Sequence, residues 1–159
     1  MEKINQIQNN ISGEFFTRPT TLADVKELTA LFNLSSQETM GINEFSENEV
    51  ETNLNLPGLE INEDTRLITN ADGKIVAYAR LFAQNDVPVT PAIFARVHPE
   101  YLNMGLGTYL HLWGMESAKR VFNRLDDDLQ VAVQTWVEHQ WKPAIDLFLN
   151  NGMHQSRLF

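Results

Sequence analysis

Gly105 and Gly107 stand one residue apart in the stretch Ala92–Arg120, AIFARVHPEYLNMGLGTYLHLWGMESAKR. They follow an apolar run, Ala92–Val97, and a proline, Pro99, and they open a segment of different period. The first backbone N–H groups of a helix lack internal partners and carry partial positive charge, so a helix that starts at such a loop binds anions. Glycine has no Cβ and lets the anion come close. Asn103, Met104, Gly105, Leu106, Gly107 and Thr108 are therefore candidates for holding a phosphate or pyrophosphate. Proton transfer needs a group that titrates near neutrality or a well-placed carboxylate. The candidates are His98, beside the loop, and Glu138, at the end of a β-rich run; the neighbouring His139 reads as surface.

The elements around these residues can be read from periodicity. Ala92–Val97 is a short buried strand, and Pro99, which cannot donate to a ladder, stops it. Leu106, Leu110, Trp113, Gly114, Ala118 and Val121 recur at helical spacing. Upstream, Thr65–Asn70 and Lys74–Ala83 form a hairpin across Ala71-Asp72-Gly73, and the second strand is apolar on both faces, which predicts helices on both sides. Glu14–Arg18 is a first strand ending at Pro19. Thr21 and Asp24 open a helix whose apolar face is Leu22, Val25, Leu28, Leu31 and Phe32. Residues 33–45 read as loop and Ser46–Leu54 as a second helix, ended by Pro57-Gly58. Downstream, Gln130–Val137 is a β-rich strand. Pro143 opens a helix with Ala144, Ile145, Phe148 and Leu149 on its buried face, and Asn151-Gly152 closes it. Met153–Phe159 reads as the start of another strand. Trp113, Trp136 and Tyr78 read as core packing.

Composition limits the function classes. The 159 residues, 43% apolar and 21% charged, suit one compact domain, residues 14–159, behind a polar and loosely ordered segment, residues 1–13. A net charge of −9 argues against a nucleic-acid partner and is compatible with a cationic amine. No apolar run reaches membrane-span length, and the first residues lack a signal peptide's apolar stretch. There is no cysteine, hence no disulfide, thiolate nucleophile or cysteine metal site; no other metal-ligand cluster stands out, so no metal is expected. These features favour the cytoplasm.

Three phosphate sites compete for the Gly-x-Gly loop. A P-loop needs Lys-Ser/Thr after the second glycine, where Thr108-Tyr109 stand. A dinucleotide fold needs a small residue in place of Leu110 and an acid about 20 residues on at a strand end. Asp126, Asp127 and Asp128 precede the next strand instead. The run Val97-His98-Pro99-Glu100-Tyr101-Leu102-Asn103-Met104-Gly105-Leu106-Gly107-Thr108-Tyr109-Leu110 resembles the acyl-CoA-binding motif of the GNAT family of N-acetyltransferases: Val-x-Pro, then Arg/Gln-x-x-Gly-x-Gly/Ala, then an aliphatic residue. The opening FFTRPTTLADVKELTALF resembles that family's first strand and helix, and the order βααβββαβαβ agrees over nearly the whole chain.

The resemblance implies an α/β (α+β) fold: a mixed central sheet flanked by helices, its fourth and fifth strands, Ala92–Val97 and Gln130–Val137, splayed at their C-terminal ends. It implies that acetyl-CoA lies in that gap as co-substrate. The pantetheine would pair with backbone groups of Arg96 and Val97, and the pyrophosphate would sit on the N–H groups of Met104 to Thr108. The Val97 N–H would stabilise an oxyanion, while the acceptor amine, deprotonated by a base or water, attacks the thioester. Three residues depart from the pattern. Leu102 stands where Arg or Gln is usual, Trp141 where asparagine is common, and Phe148 where many members carry a tyrosine that protonates the leaving thiolate. Family members commonly end in two further strands, so a second domain or a homodimer partner is expected to cover the unfinished edge. Three readings follow. One is an N-acyltransferase acting on a small-molecule amine; another is a weak or inactive half that binds acyl-CoA and supports a partner domain. The third is a phosphate-binding module unrelated to CoA.

Overall fold

In a computed structural model the described residues are 1–5 and 11–156. Five strands form one sheet in the order β1-β2-β3-β4-β5: Glu2–Lys3, Phe15–Arg18, Thr65–Asn70, Ile75–Phe82 and Ala92–Val97. Every neighbouring pair is antiparallel. The helices are α1 (Val25–Met40), α2 (Glu47–Leu54), α3 (Ile61–Asp64), α4 (Leu106–Phe122) and α5 (Lys142–Asn150).

β4 is apolar on both faces because both are covered. On one side Leu28, Leu31 and Phe32 of α1, with Val50 and Leu54 of α2, pack on Leu67 and Tyr78. On the other, Leu106 and Leu110 of α4 pack on Ile68, Ala77 and Ala79, while Ala118 and Val121 reach Leu81 and Ile93. Gly114 allows the close approach of α4 to β5: a Cβ there would lie 2.5 Å from Ile93 Cδ1. The Arg18-Pro19-x-Thr21-x-x-Asp24 run works as a joint. Arg18 donates twice to Asp24, at 2.7 and 2.8 Å, and the Thr21 N–H donates to the same carboxylate at 2.8 Å. Burial alone would raise the Asp24 pKa, but these hydrogen bonds outweigh it and hold the carboxyl below its usual range.

The structure corrects five of the readings. Glu2–Lys3, in the segment expected to be loosely ordered, pairs with β2, and Ile4 and Ile11 join the core. Backbone pairing carries that strand, and it leaves no hydrophobic alternation to read; residues 6–10 lie outside the described residues. α1 runs on through the expected loop to Met40, because nothing in NLSSQETM breaks a helix until Gly41, which caps it at φ 73°. Gln130–Val137 is not a ladder strand: it meets β5 in one parallel bridge, Ala92 to Gln134. α5 has no fully buried residue, and Leu149 is 49% exposed. Of the expected last strand, residues 153–156 have no regular structure and 157–159 lie outside the described residues.

Candidate functional site

The Gly-x-Gly loop has the shape an anion site needs. Asn103 and Gly105 both sit in the left-handed region, at φ 60° and 88°. Alternation of this kind turns successive N–H groups into one concavity. Gly105 is the N-cap of α4, no side chain caps it, and the first turn carries no acid. The Leu106, Gly107 and Thr108 N–H groups therefore have no helical partner and no competing carboxylate. The loop is held from behind, where Ser12 N–H donates to Met104 O at 3.1 Å and Leu106 is buried. Met104 packs against the core, so Met104 and Leu106 contribute backbone to the site rather than side chain. Leu102, Asn103, Gly105, Gly107 and Thr108 face the adjoining cleft.

That cleft opens along β5. His98 N–H donates to Val76 O at 2.8 Å, and Arg96 stands opposite Tyr78. In an antiparallel ladder the bonded pairs alternate, so the Arg96 N–H and C=O, expected to meet the pantetheine, point to β4 instead, whereas those of Ala95 and Val97 point to the free edge. On that edge Ile93 N–H donates to Gln134 O at 2.9 Å, and the Thr135 hydroxyl donates to Ile93 O. The 130–137 segment leaves β5 beyond this point. The splay thus begins after Ile93, and Ala95 and Val97 are left for a ligand. The cleft holds about 1680 Å³ and is walled by β5, the loop, α4, the C-terminal end of α1, the 130–137 segment and α5. It exceeds the range of about 300–1,000 Å³ that suits a drug-sized ligand and leaves room for a long one with its reaction partner.

The structure separates the two acid–base candidates. Glu138 lines the cleft. His98 does not: it is 6% exposed, its Nδ1 accepts from Glu100 N–H, and its Nε2 faces Lys74 Nζ at 3.1 Å. Burial and Lys74 lower its pKa against the opposing pull of Glu100, and both ring nitrogens are engaged within the fold rather than facing the cleft. The Arg96 side chain lines the cleft, stacks on Phe94 at 4.3 Å and donates to Ala95 O. Burial lowers its pKa, and Glu44 and Glu138 act in the opposite sense. Sequence reasoning missed three cleft residues. Glu44 comes from the connection after α1, in a segment with no pattern, and accepts from the Ser36 hydroxyl. Trp136, read as core, is 58% exposed in the cleft wall. His111 occupies an interior position of α4 that helical spacing hides among core residues.

Among the described residues no group of acids and histidines could hold a metal, and no helix is long and apolar enough to cross a membrane. The uncapped helix start, the left-handed pair at Asn103 and Gly105 and the free edge at Ala95 and Val97 fit the pyrophosphate and pantetheine of an acyl-CoA.

Comparison with known proteins agrees with this geometry. The sequence model of the acetyltransferase (GNAT) family matches residues 28–152. No curated protein matches in sequence. Among solved structures, a GCN5-related N-acetyltransferase from Sphaerobacter thermophilus is similar at 26% identity and TM-score 0.79, over 87% of this chain and 42% of its own, so the present chain spans less than half of that relative. A GNAT acetyltransferase from Streptococcus pneumoniae is similar at 24% identity and TM-score 0.68, over 87% and 84%. YncA from Salmonella typhimurium, solved with its cofactor acetyl-CoA, shares the fold at 20% identity and TM-score 0.66, over 87% and 78%. The match over most of the chain, on a fold and a cleft of this form, makes the chain a member of the GNAT acetyltransferase family.

Proposed function

We propose that this chain is a cytoplasmic N-acetyltransferase that moves an acetyl group from acetyl-CoA to a primary amine of a small molecule. The observation that carries the reading is the union, in one cleft, of a free β5 edge at Ala95 and Val97 with the uncapped N-terminus of α4. Bound acetyl-CoA supplies an acetyl group activated as a thioester. The backbone N–H groups of Leu106 to Thr108 hold its pyrophosphate, and Ala95 and Val97 pair with its pantetheine amides as an added strand would. The apolar side of α5, Ile145 and Phe148, closes over that arm. A free N–H at Ala95 or Val97 is aimed where carbonyl oxygen gains charge, which lowers the barrier. Glu138 and Glu44 give the acceptor side of the cleft negative charge that suits a cationic amine, and Glu138 takes its proton directly or through water.

Leu102 and Phe148 favour a second reading, in which the domain binds acetyl-CoA but transfers slowly. A leucine gives no charged contact to phosphate, and a phenyl ring has no proton to give. Release of free thiol from acetyl-CoA across a panel of primary amines separates the two. Amine-dependent release supports transfer; binding without release under any amine supports the second reading.

A further inference from the structure

His111 is 2% exposed between α4 and α5. Its ring packs edge-on against Phe148, with centroids 5.4 Å apart and planes at 69°. Nδ1 is sealed from solvent and has no hydrogen-bond partner. A buried polar atom left unpaired is costly and uncommon, and a leucine would fill this position without that cost. Burial lowers the imidazole pKa, so the ring is neutral, with one N–H and one lone pair. A buried N–H without an acceptor is rarer than an unshared lone pair, which places the proton on Nε2. With Nδ1 sealed, the edge of the ring left to the cleft carries Nε2, and His111 lines that cleft beside Gly107 and Phe148.

We propose that His111 is a catalytic residue, whose Nε2–H donates a hydrogen bond to the sulfur that departs from the acetyl group. The inference rests on the acetyl-transfer reading of the cleft. As the acceptor nitrogen bonds to the acetyl carbon, the C–S bond breaks and its electron pair goes to sulfur. The proton lost by nitrogen goes to Glu138 or water. His111 keeps its own proton and stabilises the thiolate, a task the neighbouring Phe148 ring cannot perform.

The test uses the whole chain as wild type, His111→Leu, and His111→Leu combined with Phe148→Tyr. Three quantities are measured: melting temperature, calorimetric affinity for CoA and for desulfo-CoA, and thiol release with the best amine of the panel. His111→Leu should melt no lower than wild type, because an unpaired polar group is removed. It should bind CoA about fivefold more weakly and leave desulfo-CoA unchanged, and its turnover should fall by about 10²-fold. Phe148→Tyr should restore at least about tenfold of that loss by returning a donor to the same place. Equal affinity changes for CoA and desulfo-CoA, or no change in either, would overturn the role of His111 while the acetyl-transfer reading stands. So would a double variant no faster than His111→Leu. Wild type that binds neither compound would overturn both.

Discussion

Replacing Gly114 by alanine tests how α4 is seated on β5, and hence how the anion-binding loop is placed against the free strand edge. The added Cβ would meet Ile93 Cδ1 at 2.5 Å, Cγ1 at 2.8 Å and Cγ2 at 3.2 Å. Ordinary carbon contacts begin near 3.5 Å, so about 1 Å must be found between a helix and a strand that are both packed. Ile93 cannot yield easily: it is 1% exposed and its N–H is tied to Gln134 O. Overpacking of this kind costs about 1–3 kcal/mol. For a chain of this size each kcal/mol lowers the melting temperature by roughly 2–4 °C. The remedy is specific. Ile93→Val removes Cδ1, the nearest atom, and in the wild-type background costs about 0.5–1.5 kcal/mol. In the Gly114→Ala background it should cost nothing or stabilise, a coupling of about 1 kcal/mol in a double-mutant cycle read by thermal or urea denaturation. Strictly additive shifts, or an unchanged melting temperature on Gly114→Ala, would refute the close approach of α4 to β5.

Leu102→Arg should tighten CoA by about 1 kcal/mol, or roughly fivefold in Kd, since a guanidinium at the mouth of the loop gains one exposed charge-assisted contact to phosphate; the gain should shrink as salt is raised. Asp24→Asn should destabilise the fold by about 1 kcal/mol at pH 7, because it removes the carboxylate shared by Arg18 and Thr21. The Asp24 pKa is lowered in the folded state, so its stabilisation is present above the unfolded pKa and lost as pH falls through the folded one. The two proteins should therefore converge in stability below about pH 4. Glu138→Gln should lower amine-dependent thiol release by about 10²-fold with little change in CoA affinity, measured by kinetics and calorimetry on the same preparation.

What the sequence made legible was whatever had a period or a steric requirement. Ala92–Val97 is a strand to the residue, because its apolar run is bounded by proline on both sides, at Pro91 and Pro99. The stripe from Leu106 to Val121 forecast α4, and the Gly-x-Gly loop forecast its uncapped start. The hairpin turn followed from Gly73, at φ 83°. The failures have physical causes as well. β propensity describes fit to a pleated neighbour, and QVAVQTWV has the composition of a strand but meets residues 89–93 in only a few backbone bonds, with one parallel bridge at Gln134. Trp136 reads as core on type alone, yet it stands where the segment has left the sheet. His98 and His111 carry the same chemistry, and only tertiary packing ties one to Lys74 and Glu100 while it leaves the other unpaired beside the cleft. Glu44 belongs to a connection whose position is set by Asn33, which accepts from the Glu44 and Phe45 N–H groups, a bond no periodicity announces.

The proposed acyl-CoA site is built from backbone at Gly105 and the free edge of β5. Calorimetric titration of acetyl-CoA into the wild-type chain and into Gly105→Val tests it most directly. Gly105 has φ 88° at the N-cap of α4, so a β-branched side chain there is strained and stands in the path of the phosphate. The wild type should bind one acetyl-CoA per chain, and Gly105→Val, folded by circular dichroism, should bind none detectably. Equal binding by the two proteins would put the ligand elsewhere, and no binding by wild type would contradict the site itself.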